Sequence, residues 1–583
     1  MPEAEYPQAI SKLGSEIKSK FPKSEEITGD VLKKKFPHHS FVFGWKIYNA
    51  IDQDPYDLLV TVDFDFPWTL PHIILPSPPE NIRLPHVESD GKLCLVPSQI
   101  AYQLPVEATH LETLIEYARE VLQQGRSKEN ETDFYIEAES YWKPSKLSEI
   151  WVTQQLPETH SIQNCVIVGR NFILGSDLPS LRKWTEVSGR KVGSTQVGLV
   201  VRLPTPLHPE WYPRTMKDLF KLIESIGAST KLNQAISQWN RKHSLPIVLV
   251  FEYDGRDVML GCQLTPPEKI IMPNKEKKGI PGFRINTKTT SQVLISSLSQ
   301  VSHELPRMKV VPTFRDYLHT RTLGSKMGSF NSKHVIIAGC GALGGHLAVQ
   351  LAQMGIGRLT LLDNDTFDWA NVGRHVLDGS DVGQFKAIAL QHNIHRRFPE
   401  MDVVGVPKKW ERFRSESEDL FNSADLIISV TGDAASNIHL DTLVEEKDAP
   451  PVIFGWIEAF GIAAHAIFRC PHSGKLTDIC DEEGRLKDPV AKRLDLSDLP
   501  REPSCGAFYQ PYSSINALHA IAHIGDLAID VLGGRIDRST HRTWVGNLES
   551  FSENGLSIMP AWHTKLNARG CNRRFEIIMP RKE

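Results

Sequence analysis

The sequence predicts an α/β multidomain chain that ends in a doubly wound, Rossmann-like unit. Three observations lead there. The 583 residues exceed what one hydrophobic core can usefully bury, so roughly two to four domains are expected. Hydrophobic residues make up 40% and charged residues 23%, the composition of a folded chain rather than a disordered one. From about residue 310 the pattern runs strand, glycine turn, helix, strand, the order of a parallel sheet wrapped by helices.

The chain divides into three segments: 1–150, 151–310 and 311–583. The first opens with an amphipathic helical pattern and continues in strand-like runs at Phe41–Tyr48 and Leu58–Phe64. A proline-rich stretch, Phe66–Pro85, precedes a second helical pattern near Leu111–Gln124, and Lys143–Glu158 reads as a linker. The middle α/β segment has strand candidates at Cys165–Val168, Val197–Val201, Ile247–Tyr253 and Val258–Leu264. Its helix candidates are Met216–Ile226 and Leu232–Lys242. It carries no chemical motif and reads as a spacer or a docking surface.

Several function classes are excluded early. A formal charge of -4 argues against broad, non-specific nucleic-acid binding. No apolar run approaches the roughly 20 residues that span a bilayer. The N-terminus alternates charged and apolar residues without the apolar stretch of a signal peptide. The eight cysteines are scattered and form no dense framework, which fits a reducing cytoplasm.

The strongest chemical signal lies in the third segment. His334–Ala338 is an apolar run that reads as a buried strand and leads into Gly339-Cys340-Gly341-Ala342-Leu343-Gly344-Gly345, after which a helical pattern continues to Met354. Glycines at Gly339, Gly341 and Gly344 let the backbone turn tightly and approach a phosphate at a helix N-terminus. A second strand, Arg358–Leu362, ends at Asp363, 19 residues after Gly344, where an acid accepts from a ribose hydroxyl. The stretch beyond Asp363 is too highly charged for a dinucleotide site. Arg374 and Lys386 suit a triphosphate, and Asp433, after the strand Leu426–Val430, suits Mg²⁺, a hard ion that prefers oxygen ligands.

These residues resemble the adenylation domain of the superfamily of ubiquitin-activating E1 enzymes and the ThiF-type activators of molybdopterin and thiamine biosynthesis. The shared pattern, over roughly 330–530, is a glycine loop, Asp363-x-Asp365, Asn371-x-x-Arg374, Lys386 after Asp381-Val382-Gly383, and the late Asp433. The resemblance implies ATP as cosubstrate, Asp363 on ribose, Asn371, Arg374 and Lys386 on phosphates, and Asp433 on the metal. Ala370-Asn371-Val372 departs from the usual Glu-Asn-Leu, but the Asn and Arg remain. Such domains usually dimerise, and Arg321 is a candidate to complete a partner's ATP site; it also reads as an ordinary surface arginine. Many relatives hold zinc through two CxxC pairs. This chain has no CxxC, so no zinc is expected.

Two cysteines stand out. Cys505, in Pro503-Ser504-Cys505-Gly506 before a helical pattern at Ser513–Leu532, resembles the E1 cysteine that attacks an acyl-adenylate. A thiolate near a helix N-terminus is a ready nucleophile for that mixed anhydride. In the first segment, Pro67-Trp68-Thr69-Leu70-Pro71, Leu84-Pro85-His86 and Gly91-Lys92-Leu93-Cys94-Leu95 resemble the α+β fold of E2 ubiquitin-conjugating enzymes, with Cys94 as their catalytic cysteine. His86, eight residues before Cys94, stands where the family has asparagine. It can donate a hydrogen bond as asparagine would, or act as an acid or base.

An E2-like, a middle and an E1-like domain in that order resemble bacterial E1–E2 fusion proteins of antiphage cyclic-oligonucleotide signalling (CBASS) operons. The resemblance implies that a protein's C-terminal carboxylate is adenylated, handed from Cys505 to Cys94 and joined to a lysine amine. It also implies a cGAS/DncV-like nucleotidyltransferase as the activated protein, target proteins with acceptor lysines, a homodimer and antiviral defence. Three other classes share parts of the pattern. A sulfur-carrier adenylyltransferase has no use for Cys94, and a nicotinamide dehydrogenase leaves Arg374, Lys386 and Asp433 without work. A scaffold leaves the whole site without work.

Overall fold

A computed structural model describes residues 5–48, 57–76, 84–88, 90–95, 109–266, 295–296, 298–319, 330–446, 448–472, 474–481, 485–492, 511–546 and 555–563. Its strands form three sheets. The first is a four-stranded antiparallel meander in chain order: Glu25–Thr28, Phe41–Ile47, Leu58–Asp63 and His72–Ile74. Successive residues of a strand face opposite sides. Accordingly, Leu58, Val60 and Val62 pack with Leu13 and Ile17 of helix Glu5–Lys20 and with Leu111, Leu114, Ile115, Ala118 and Leu122 of helix Thr109–Ser127. That last series is the i, i+3, i+4 stripe of a helix lying on a sheet. Leu59 faces the other way, onto Leu32 and Phe36 of the short helix Gly29–Lys35 and the residue beyond it.

The second sheet closes on itself. Its seven strands run in the order Arg256–Leu264, Arg307–Pro312, Ser145–Val152, Asn171–Gly175, Ser161–Val168, Thr195–Arg202, Leu245–Tyr253 and back to the first. One apolar cluster, including Ile150, Val152, Cys165, Phe172, Val200, Val248 and Met308, comes from nearly every strand and from no helix, so it fills the lumen. The alternate residues, Leu199, Val201, Ile247 and Leu249, face outward onto helices Met216–Ser225 and Ser229–Gln238. This corrects the reading of Lys143–Glu158 as a linker: Ser145–Val152 is a barrel strand, paired with Arg307–Pro312 on one side and Asn171–Gly175 on the other. The helix before it, Ala138–Trp142, also belongs to the barrel. Ala138 and Trp142 are buried in its outer core, and the Trp142 indole donates to the Gly261 carbonyl at 2.7 Å.

The third sheet has seven strands in the order Asp402–Val406, Arg358–Leu362, His334–Ala338, Leu426–Ser429, Val452–Ile457, Ala463–Arg469, Thr540–Val545. The first five are parallel, the sixth is reversed, and the seventh pairs antiparallel with the sixth. From His334–Ala338 the chain winds outward through two strands and then returns to the opposite side at Leu426–Ser429. That reversal opens a crevice at the C-terminal strand ends, the place where ligands bind such sheets. Helix Ser514–Leu532 is long and apolar enough by composition to cross a bilayer, contrary to the expectation that no segment came close. Its apolar residues Ala520, Ile521, Ile524, Leu527 and Ala528 are instead packed into the core beside helix Ala342–Gln353. The barrel meets this unit through Arg315–Leu318, where Arg315 donates to the Gly357 carbonyl at 3.3 Å.

Emptying a buried indole site removes both its packing and its hydrogen bond, at a cost of about 3–5 kcal/mol. Trp142→Ala should therefore lower the urea midpoint of the barrel's unfolding transition, followed by tryptophan fluorescence. A linker tryptophan would leave the midpoint unmoved.

Candidate functional site

The glycine loop is pinned from below. Asp363, at the end of the neighbouring strand, accepts the Cys340 amide at 2.7 Å with one carboxylate oxygen and the Asp365 amide at 2.8 Å with the other. Burial raises the Asp363 carboxyl above its ordinary value, against these amides and Lys386, which favour the charged form. Gly339 has φ +90°. Gly344 lies so close to the loop that a Cβ there would meet the Gly339 carbonyl at 1.9 Å. Gly341 begins helix Ala342–Gln353 and has open space beside it. These are the demands of a loop that turns sharply at one glycine, seats a helix on another and leaves the third clear for a ligand.

A cavity of about 200 Å³ opens at the crevice, lined by Gly339, Asp363, Asp365, Trp410, Thr431 and Asp433 among others. The structure thus brings Gly339, Asp363, Asp365 and Asp433 together. Lys386 joins them through Asp365, with Nζ 3.0 Å from the carboxylate. Asp433 starts helix Ala434–Leu443, accepting the Ser436 amide at 3.1 Å, and stays exposed. Asn371 and Arg374 stand apart from the cavity wall. The Asn371 side chain accepts the Asp368 amide at 3.1 Å, and the Arg374 guanidinium donates to the Ala370 carbonyl at 2.8 Å. A larger cavity, about 1070 Å³, lies at the barrel rim around Arg202 and Asp257. That arginine is held by Asp257 and by the Pro157 and Leu156 carbonyls, so the cavity's main cation is already occupied.

Sequence reasoning missed Trp410, Glu411 and Ser436. They form a chain in which the Trp410 indole donates to the Ser436 hydroxyl at 2.7 Å and that hydroxyl donates to Glu411 at 3.0 Å. The available signal was Pro407-Lys408-Lys409-Trp410 directly after the strand Asp402–Val406, at a C-terminal strand end. His375 directly follows Arg374 of the Asn371-x-x-Arg374 motif. Its Nε2 donates to the Cys340 carbonyl at 2.7 Å, and its Nδ1 accepts the Leu377 amide at 3.1 Å. Both ring nitrogens are thereby committed to the neutral form, and burial lowers its pKa to about 4.

Cys94 is exposed, while Cys165, Cys262, Cys340 and Cys480 are buried. Burial pushes the thiols of Cys262 up to about 12 and Cys480 up to about 11, which leaves them inert packing groups. Although Cys94 is exposed as a residue, partial burial of the thiol raises its pKa as well. Glu137 and Glu88 add to that shift, and Lys92 opposes it. The Cys94 amide donates to the His86 carbonyl at 2.7 Å, so the two residues share one loop. The His86 ring is bonded instead to Asp133, Nε2 to Oδ2 at 2.9 Å. Cys505 and Arg321 lie outside the described residues. Among the described residues, no group of three or more His, Cys, Asp or Glu is arranged to hold a metal ion.

Both sites coincide with known families. The ThiF family model matches residues 322–488, around the glycine-loop cavity. The prokaryotic E2 family B model matches residues 29–150, around Cys94. The chain joins an E1-like domain to an E2-like domain. This is the make-up of an E1/E2-type conjugating enzyme. The ATP-dependent ubiquitin transferase-like protein Cap2 of Pseudomonas aeruginosa is 23% identical over 499 residues, 80% of this chain and 83% of that protein. Cap2 of Vibrio cholerae is 24% identical over 520 residues, 78% of this chain and 82% of its own length. The adenylyltransferase and sulfurtransferase UBA4 of Candida albicans is 34% identical over 102 residues, only 17% of this chain and 22% of that protein.

The His375 geometry predicts a pH effect on the E1-like domain. A histidine held neutral in the fold stabilises it above the unfolded value near 6.5, and that contribution is lost as pH falls toward about 4. The difference is about 3 kcal/mol. His375→Asn should be less stable than the parent at pH 7, and the gap should narrow by about that amount at pH 4. Urea unfolding at a series of pH values measures it; a constant gap contradicts the assignment.

Proposed function

We propose that this chain activates the C-terminal carboxylate of a protein with ATP and conjugates it to a lysine amine through two thioesters. The observation that carries this reading is the coexistence of two features in one chain. One is a glycine-loop cavity lined by Asp363, Asp365 and Asp433, with Lys386 beside it; the other is an exposed cysteine in an E2-like loop. In the E1-like domain the carboxylate attacks the α-phosphate of ATP, forming an acyl-adenylate and releasing pyrophosphate. Asp363 holds the ribose, and Gly339, Gly341 and Gly344 let the loop backbone approach the phosphates. Asn371, Arg374 and Lys386 neutralise phosphate charge. Lys386 is already within reach of the cavity, whereas Arg374 must leave the Ala370 carbonyl to take part.

Magnesium suits this site. It binds through one or two carboxylates plus phosphate oxygens and water, so the exposed Asp433 suffices without a dedicated cage of protein ligands. When bound, it would offset charge on the triphosphate. The Cys505 thiolate then displaces AMP, giving a thioester, and the acyl group passes to Cys94 by thiol–thioester exchange. A lysine amine finally attacks the thioester, an amide bond forms, and the Cys94 thiol is released.

The working division is 1–150 for conjugation, 151–310 for the middle unit and 311–583 for adenylation, with Ser145–Val152 sharing hydrogen bonds with the barrel. By the CBASS resemblance the activated protein is a cGAS/DncV-like nucleotidyltransferase in a cytoplasmic antiviral system. By the same resemblance the E1-like domain pairs as a homodimer, with Arg321 the candidate to complete a partner's ATP site. The sulfur-carrier reading draws on the UBA4 likeness, but it leaves Cys94 and its loop without a task.

Two substitutions test the relay, with the purified chain, ATP and a cGAS/DncV-like donor analysed on non-reducing gels. Cys505→Ala should abolish every reductant-sensitive adduct. Cys94→Ala should leave one adduct on Cys505 and abolish conjugation. Normal conjugation by both variants would sink the proposal. ATP–pyrophosphate exchange, lowered at least about tenfold by Asp363→Ala, checks the adenylation half separately.

A further inference from the structure

The structure assigns Tyr141, with Asp133 and Glu137, as positioning residues that fix the His86–Cys94 loop for acyl transfer. This rests on the reading that Cys94 carries the acyl group. His86 is not glycine, yet its φ is +61°. A residue with a Cβ stays in that region only when its surroundings hold it there. Here all three of its polar parts are held. Its amide donates to the Tyr141 hydroxyl at 2.7 Å, its carbonyl accepts the Cys94 amide at 2.7 Å, and its ring is 2.9 Å from Asp133. Glu137 completes the group, 3.6 Å from the other ring nitrogen and 3.4 Å from the Tyr141 hydroxyl.

These holding residues are not free to drift. They sit on helices Asp133–Ile136 and Ala138–Trp142 and, for Glu137, at the junction between the two, and the other sides of these helices are sunk in the barrel. Phe134, 2% exposed, packs edge-on against His208 and Tyr141 with ring centroids 4.7 and 4.9 Å apart. Trp142, next to Tyr141, is bonded to the barrel strand at Gly261. A continuous path therefore runs from barrel wall through Tyr141 and the His86 backbone to the Cys94 backbone. The histidine ring faces carboxylates, and the pair of bonds to its backbone is what reaches the cysteine. His86 thus serves as a staple, which answers the choice between a supporting and an acid–base role in favour of support. The middle unit gains a task as well, since its helices hold the loop on which the E2-like cysteine is mounted.

The test bypasses the natural acyl donor. The full chain carrying Cys505→Ala is acylated at Cys94 with the mercaptoethanesulfonate thioester of glycine; the Cys94 sulfur takes the glycyl group and mercaptoethanesulfonate leaves. Free lysine then attacks, forming an amide and releasing the Cys94 thiol. Adding Tyr141→Phe keeps the ring but removes the hydroxyl, and should slow the maximal discharge rate about tenfold with little change in the lysine concentration needed for half-saturation. Alkylation of Cys94 by iodoacetamide, which needs no loop geometry, should change less than about twofold. Asp133→Asn tests the same loop through the ring, in case the tyrosine variant folds poorly, and should slow discharge about threefold. Slowed discharge in either variant with normal alkylation supports the assignment. Parental discharge rates in both, with Cys94 loaded, overturn the positioning role alone. A parent chain that gains no more glycyl label than its Cys94→Ala control overturns the reading of Cys94 itself, and the positioning role with it.

Discussion

The carboxylate of Asp363 is the constraint on which the glycine-loop crevice depends. One oxygen holds the Cys340 amide and the other the Asp365 amide, so a single side chain ties the glycine loop to the next strand end. Everything at the crevice is placed relative to that tie. Cys340 presents its carbonyl to His375 on the far side, and Asp365 meets Lys386. The same carboxylate, raised by burial, is the group that a ribose would share. In the proposed reading, loop shape and ligand recognition thus draw on one residue, and a change there would disturb both.

The site also carries its charge in balanced form. Lys386 is mostly enclosed and rests on Asp365, and Arg374 is turned back on its own helix turn. A cation left alone in a partly buried crevice would be costly, so a partner is kept nearby until a more anionic one arrives. In the proposed reading, triphosphate binding exchanges these internal partners for phosphate oxygens. Affinity then reflects a difference between two sets of contacts rather than a sum of new ones.

Much of this was legible in the residue order because the relevant signals are local. The apolar run His334–Ala338, the glycines after it and Asp363 all fall within one strand–helix–strand unit, and the structure builds that unit as read. Helix Thr109–Ser127 was likewise legible from its apolar spacing. The barrel was not. Ser145–Val152 pairs with Arg307–Pro312, more than 150 residues away, and its polar approach through Lys143, Pro144 and Ser145 resembles a linker. The support of Cys94 was hidden for the same reason: Tyr141 meets His86 across 55 residues. Trp410 reaches the crevice from a helix whose arrival at that strand end depends on sheet order, which no single stretch encodes.

The strand Ser145–Val152 has a practical meaning for anyone who would isolate the two ends of this protein. A cut near residue 150 divides that strand, leaving a frayed stump on one fragment and an open seam in the barrel of the other. Open seams recruit foreign strands, so both pieces invite clumping. A cut upstream of Asp133 spares the seam but strips the thiol loop of its brace. The two ends share a hinge-post rather than a tether, and the chain is best handled whole.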